Sequence, residues 1–327
     1  MSSPSEIWPN FFIVGAIKCG TTSLYEILKS HPQVFFAELK EPNYFLTVPP
    51  TDEQAKGRFR EHCTGRPEAY LDLYRHSGAY PAIGDASAAY LWDENSARRI
   101  HEVVPDARII ILLREPVTRA HSHYLMNRKY GFEPIPTFHE AVQKYSVVKS
   151  KCAWESGMYI DCGRYYDGVK RYLDTFGPKN VLILLTDDLN KQPERTLSQV
   201  TRFLGIDPLP NDRVDMKVKY NSFAIPRFPA AYKFLRHNIF KPEVRQKYFP
   251  LALRRWLQNS PLLNSHDKPT IDKESRLFLQ RIYGPEIVRL EELLGRKLPQ
   301  LRKGWLSEPE VTPGTSGDLT REISETS

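Results

Sequence analysis

Short apolar runs, separated by polar stretches that glycine and proline punctuate, set the pattern of this chain. Asn10–Val14 (NFFIV) follows a polar start and predicts a buried strand. A glycine-bounded loop, Gly15–Gly20, leads into a helix over Thr21–Ser30, with Leu24, Ile27 and Leu28 at helical spacing; His31-Pro32 stops it. Val34–Ala37 predicts a second strand. Residues 50–80 are polar and mixed, with one helix expected over Glu53–His62. Ala82–Ser87 predicts a strand running into a turn, and Glu94–Val104 an amphipathic helix that Pro105 ends. Arg108–Leu113 (RIIILL) is the clearest buried strand. Its unbroken apolar run suits a parallel sheet covered on both faces. Pro116 fits the first turn of a helix running to Tyr130. Tyr159–Phe176, Val181–Leu185 and Pro193–Leu204 then predict helix, strand and helix. Lys273–Leu294 predicts a long helix, broken or bent at Gly284-Pro285.

This alternation makes the fold α/β: a P-loop-like three-layer arrangement with a central parallel sheet flanked by helices. Residues 1–306 are expected to form one domain. Residues 307–327, rich in Ser, Thr, Glu and Gly, predict a disordered tail. No leader pattern and no run of about 18 apolar residues is present, so no membrane span is expected.

Composition changes this picture little. The 327 residues include 46 Lys+Arg against 39 Asp+Glu, a mildly basic balance that would favour an anionic ligand. Without a dense basic run interleaved with aromatics, no nucleic-acid partner is expected. Cys19, Cys63, Cys152 and Cys162 form no CxxC pair and no zinc spacing. They read as reduced thiols of a cytoplasmic protein that requires no metal.

The chemistry concentrates in Val14-Gly15-Ala16-Ile17-Lys18-Cys19-Gly20-Thr21-Thr22-Ser23. A tight loop before a helix aims backbone N–H groups at one point, and the helix dipole adds partial positive charge there. Lys18 inside such a loop wants solvent or an anion. In a Walker A loop the lysine follows the second glycine directly, whereas here it precedes Gly20 by two residues. The strand Arg108–Leu113 ends in Arg114, a direct anion ligand, rather than in an aspartate for Mg²⁺. A P-loop kinase-like enzyme with a degenerate loop is the alternative. Its sole acidic candidate is Thr186-Asp187-Asp188, after the strand Val181–Leu185.

These residues resemble the PAPS-dependent sulfotransferase family (PAPS, 3′-phosphoadenosine 5′-phosphosulfate), in its bacterial and heparan-sulfate-type branch. Gly15–Ser23 looks like the family's 5′-phosphosulfate loop. Leu113-Arg114-Glu115-Pro116, continuing to Tyr124, looks like its 3′-phosphate site, with Arg114 and Ser122 at the family's spacing of eight. Lys40-Glu41-Pro42-Asn43-Tyr44-Phe45 is similar to the stretch whose glutamate serves as base. Gly84-Asp85-Ala86-Ser87-Ala88-Ala89-Tyr90 is similar to a segment lining the acceptor cleft.

The resemblance implies transfer of a sulfuryl group from PAPS to a hydroxyl or amine of a carbohydrate, lipid or secondary-metabolite acceptor, with 3′,5′-adenosine bisphosphate leaving. It assigns Lys18 and Glu41 to catalysis. Lys18, Cys19, Gly20, Thr21, Thr22, Ser23, Arg114, Ser122 and Arg227 would hold the donor. Lys40, Asp85, Ser87 and Tyr90 would contact the acceptor. Arg227 follows from Asn221–Arg227, which matches the family's nucleotide clamp except around Ala224. The membrane anchor and C-terminal disulfide loop of the family's Golgi members are not visible. His31, His101, His121 and His123 are the rival bases. Arg119 is expected to pair with a carboxylate, and Tyr165 and Tyr166 to pack a helix.

Overall fold

The computed structural model describes residues 6–47, 65–130, 132–147, 158–209, 225–226, 264–265 and 269–307. Five strands form one parallel sheet: β1 (Phe11–Gly15), β2 (Val34–Phe36), β3 (Ala82–Asp85), β4 (Arg108–Leu113) and β5 (Val181–Leu185), in the order β2-β3-β1-β4-β5. β1 is buried throughout, as is β4 after Arg108, because helices cover both faces. The β4–β5 pairing runs in register from Ile109 opposite Val181 to Leu113 opposite Leu185. A two-residue antiparallel pair, β6 (Ile225–Pro226) and β7 (Asn264–Ser265), lies apart from this sheet.

Among the described residues, the helices are α1 (Thr21–Lys29), α2 (Pro67–Asp72), α3 (Ser96–Val103), α4 (Pro116–Tyr130), α5 (Phe138–Ser146), α6 (Tyr165–Phe176), α7 (Thr186–Lys191), α8 (Pro193–Leu204) and α9 (Lys273–Leu294). Among the described residues, none is long and apolar enough to cross a membrane. The three-layer parallel expectation holds, and all five strands lie within two residues of their predicted ends.

Three local expectations change. The helix predicted from Tyr159 starts at Tyr165, after a short 3-10 turn over Asp161–Gly163. The carbonyls of Tyr159 and Ile160 accept the Tyr283 hydroxyl at 3.0 and 3.1 Å, and Tyr159 also accepts from Arg119. Tertiary donors thus take the acceptors that a helical ladder would use. Helix α9 runs unbroken through Pro285, its inward residues Leu279, Tyr283, Ile287 and Leu290 all buried. Helix α5 was missed, although Thr137 caps it by accepting from the Glu140 N–H at 3.3 Å, the T-x-x-E pattern of a capping box. The expected helix Glu53–His62, the candidate clamp Arg227 and the predicted tail lie outside the described residues.

Candidate active site

All five strands are parallel, so their C-terminal ends share one edge of the sheet. The chain leaves β1 for β2 on one side and later places β4 on the other. Such a topological switch opens a crevice between the two strand tips. Lys18 follows β1 there, and Arg114 is the residue after β4.

The loop between β1 and α1 is tightly built. Gly15 allows close packing, since a Cβ there would lie 2.5 Å from Cβ of Leu91. The Ala16 N–H donates to the Leu112 carbonyl at 2.8 Å and the Cys19 N–H to the Ala16 carbonyl at 3.1 Å. Lys18 takes a left-handed backbone, φ 68°, and Gly20, the N-cap of α1, has φ 91°. A lysine held there by its surroundings is a feature that clusters at functional sites. Among the described residues, no side chain caps α1. The N–H groups of Thr21, Thr22 and Ser23 have no intrahelical acceptor, and a helix start of this kind is suited to receive an anion.

Two neighbouring strand tips brace the loop. Arg114 Nη1 donates to the Lys18 carbonyl at 3.4 Å. The Thr186 hydroxyl, just past β5, lies 2.5 Å from the Cys19 carbonyl and 3.0 Å from that of Leu113. Tyr165 donates to the Arg114 carbonyl at 2.8 Å and sits 3.6 Å from Cys19 Sγ. Thr186 and Tyr165 were missed as loop supports. A strand-end threonine and a helix-start tyrosine carry no local signal of that role. Cys19 itself is fully buried, and burial pushes its thiol up; only its backbone can face a ligand. The Lys18 ammonium reaches Met126 Sδ on α4 at 3.5 Å, so the lysine points across to the helix that carries Ser122.

Helix α4 begins differently from α1. The buried Glu115 carboxylate accepts the N–H groups of Val117 at 2.8 Å and Thr118 at 2.7 Å, and the Trp305 indole at 2.9 Å. The start of α4 is thereby filled from within the protein. Arg114 and Ser122, by contrast, stay only half-buried on this side. Arg119, one turn on from Arg114, is buried and has no carboxylate partner among the described residues. Its Nη2 donates to the Tyr159 carbonyl, while Nε and Nη1 meet no acceptor among the described residues. The expected ion pair is corrected: the peptide dipole at Tyr159 takes the place of a carboxylate.

The segment after β2 carries Glu41, with φ 60°, and Asn43, with φ 54°. Lys40 pairs with Glu41 at 2.5 Å and also lies 5.9 Å from the Tyr25 ring centre. The Tyr25 hydroxyl donates to the Ala37 carbonyl at 3.2 Å, which ties this segment to α1. Asp85, Ser87 and Tyr90, expected at the acceptor, are buried beneath the segment, where their polar atoms bond to it and to one another. At the segment's far end, Arg99 Nη1 donates to the carbonyls of Phe45 at 2.9 Å and Leu46 at 2.6 Å. The Asp93 carboxylate accepts the Thr47 N–H at 3.1 Å.

The rival histidines are occupied elsewhere. His31 bridges the Asp207 carbonyl and the Gln33 N–H, His121 and His123 are buried against aromatic rings, and His101 packs on Phe176. The acidic pair of the kinase-like alternative faces the C-terminal segment. Asp187 pairs with Lys191 and Lys303, and Asp188 accepts from Gln300.

A family model described as the sulfotransferase domain matches residues 9–283. Carbohydrate sulfotransferase 15 of Mus musculus is 27% identical over 251 residues, covering 62% of this chain and 44% of that protein. Bifunctional heparan sulfate N-deacetylase/N-sulfotransferase 4 of Mus musculus is 26% identical over 313 residues, covering 92% of this chain and 31% of that protein. The chain spans less than half the length of these curated relatives. Among solved structures, a sulfotransferase from Alicyclobacillus acidocaldarius superposes with a TM-score of 0.64 at 25% identity, covering 91% of this chain and 100% of that one.

Proposed function

Because the chain belongs to the sulfotransferase domain family, we propose that it transfers a sulfuryl group from PAPS to a hydroxyl or amine of a carbohydrate acceptor. The observation that carries this reading is the pairing of strand tips at the sheet's switch point. Lys18 stands in the loop at an uncapped helix start, and Arg114 bonds to that residue's own carbonyl from the next strand. The two cations suit a ligand with an anionic group at each end, which a 3′,5′-bisphosphorylated adenosine has. The carbohydrate relatives support the acceptor class.

Sulfuryl transfer, like phosphoryl transfer, spreads charge over oxygens and relies on positioning and electrostatics. The acceptor oxygen or nitrogen attacks sulfur in line. The bond from sulfur to the bridging oxygen breaks, and its electron pair stays on the leaving 5′-phosphate. Lys18 offsets the charge that grows on that bridging oxygen. The open N–H groups and hydroxyls of Thr21, Thr22 and Ser23 hold the 5′-phosphate, while Arg114 and Ser122 hold the 3′-phosphate. Glu41 takes the acceptor's proton. Its pairing with Lys40 sets the carboxylate's direction before the acceptor enters. A cytoplasmic setting belongs to the same proposal, supported by the free, buried Cys19 and Cys162.

The test is a screen of carbohydrate, lipid and secondary-metabolite acceptors with radiolabelled PAPS, beside calorimetry with adenosine 3′,5′-bisphosphate. Labelled carbohydrate product and nucleotide binding are expected. A protein that ignores the nucleotide would refute the proposal.

A further inference from the structure

We propose that Asp85 is a positioning residue for Glu41, acting through the hydroxyls of Ser87 and Tyr90 on the backbone of the segment that carries the base; the inference rests on Glu41 serving in that role. Asp85 is the last residue of β3 and is 1% exposed. A buried carboxylate is costly unless its oxygens accept hydrogen bonds. It accepts three, from Ser87 Oγ at 2.7 Å, the Tyr70 hydroxyl at 2.8 Å and the Tyr90 hydroxyl at 3.0 Å.

Two of these hydroxyls pass the interaction on. The Asn43 N–H donates to Ser87 Oγ at 3.2 Å, and the Phe45 N–H donates to the Tyr90 hydroxyl at 3.4 Å. Each hydroxyl has one proton. Committing it to the carboxylate leaves the oxygen lone pairs for the backbone N–H groups. Asp85 therefore dictates the direction of both chains: backbone N–H to hydroxyl, hydroxyl to carboxylate. An amide at position 85 would offer N–H in place of one acceptor and would turn one hydroxyl around.

The segment held this way has two non-glycine residues in the left-handed region, Glu41 and Asn43. Such conformations persist only where surrounding contacts over-determine them. Arg99 and Asp93 fix the carbonyls and N–H beyond Tyr44. The Asp85 bracket fixes the N–H groups nearer Glu41, and Tyr70, a third arm of the same carboxylate, stacks on the Tyr44 ring at 4.4 Å. Burial pushes the Asp85 carboxyl up to about 6, and the negative charge of Glu41 adds to the rise, so the two carboxylates sense each other.

The experiment compares wild type, Tyr90→Phe, Ser87→Ala, their double variant, Glu41→Gln and the triple variant. Each bracket substitution deletes an oxygen and little else, and Tyr90→Phe alone suffices where the double variant folds poorly. The first readout is amide hydrogen exchange across residues 40–46, which needs no acceptor. Faster exchange in the bracket variants is expected; unchanged exchange overturns the proposal. The second is turnover of labelled PAPS with a partially N-deacetylated heparan oligosaccharide as acceptor probe. The double variant is expected to lower kcat about 10- to 100-fold, the scale of an ångström-level misplacement. Acceptor KM and the affinity for adenosine 3′,5′-bisphosphate should stay within about 2-fold, and no further loss should appear in the Glu41→Gln background. Full kcat in the double variant, or a loss that multiplies that of Glu41→Gln, overturns the proposal. Undiminished turnover in Glu41→Gln would instead refute the base itself, and exchange would then judge the bracket alone.

Discussion

At the scale of single residues, the proposed mechanism gives Lys18 and Arg114 opposite ends of the nucleotide. Lys18 → Ala removes a charge that matters most as the bridging bond breaks. Turnover should fall about 10²- to 10³-fold, the range for losing one preorganised transition-state donor. Single-turnover kinetics with labelled PAPS would measure it, and a loss under 3-fold would refute the role. Arg114→Ala should act on the ground state. Charge-assisted hydrogen bonds are worth about 1.5–3 kcal/mol, so adenosine 3′,5′-bisphosphate should bind roughly 10- to 100-fold more weakly. Adenosine 5′-monophosphate, lacking the 3′ group, should lose less, only what the missing bond to the Lys18 carbonyl costs the loop, and calorimetry on both nucleotides separates the two effects.

Between elements, two helix starts differ in how they are capped. The start of α1 is left without a side-chain cap, while that of α4 is filled by Glu115 and locked by Trp305. Trp305 therefore holds the element that presents Arg114 and Ser122, though it lies far away in sequence. Helix α9 carries its own internal weakness at Pro285, which is exposed and cannot donate to a carbonyl in the preceding turn. Pro285→Ala should restore that bond and raise the thermal midpoint, by up to about 3 kcal/mol in stability. A lowered midpoint in a thermal melt would show that the packing of Tyr283 and Ile287 depends on the proline.

For the whole molecule, the C-terminal segment is fastened by the buried Glu291. Arg302, the Leu298 N–H and Lys297 all donate to it, and together they hold its carboxyl down at about 2. Its folded value lies below its unfolded one, so its contribution is complete above about pH 4.5 and is lost as pH falls toward 2. Glu291→Gln should destabilise the protein by roughly 1–3 kcal/mol at pH 7, and the gap should narrow as pH falls below about 4.5. Urea unfolding at pH 7 and pH 3 tests this, and a gap independent of pH would refute it. Catalysis by Lys18 and Glu41 also predicts turnover unaffected by EDTA, whereas a kinase-like reaction would stop.

Much of the fold was legible from local pattern alone. The apolar run at 108–113, the helix after Gly20 and the strand at 181–185 are fixed by burial period, glycine and proline, which act within a few residues. The loop between β1 and α1 was legible for the same reason, since Lys18, Gly20 and the following hydroxyls are contiguous. The direction of individual polar groups was not. Asp85, Ser87 and Tyr90 suggested a cleft lining yet lie buried beneath the Glu41 segment, Arg119 meets a peptide carbonyl and no carboxylate among the described residues, and Tyr165 and Thr186 contact Cys19 of a loop more than a hundred residues away. Short-range pattern determines which residues enter a strand or helix. Which donor meets which acceptor depends on how the strands are ordered in the sheet, and the packed chain alone decides that.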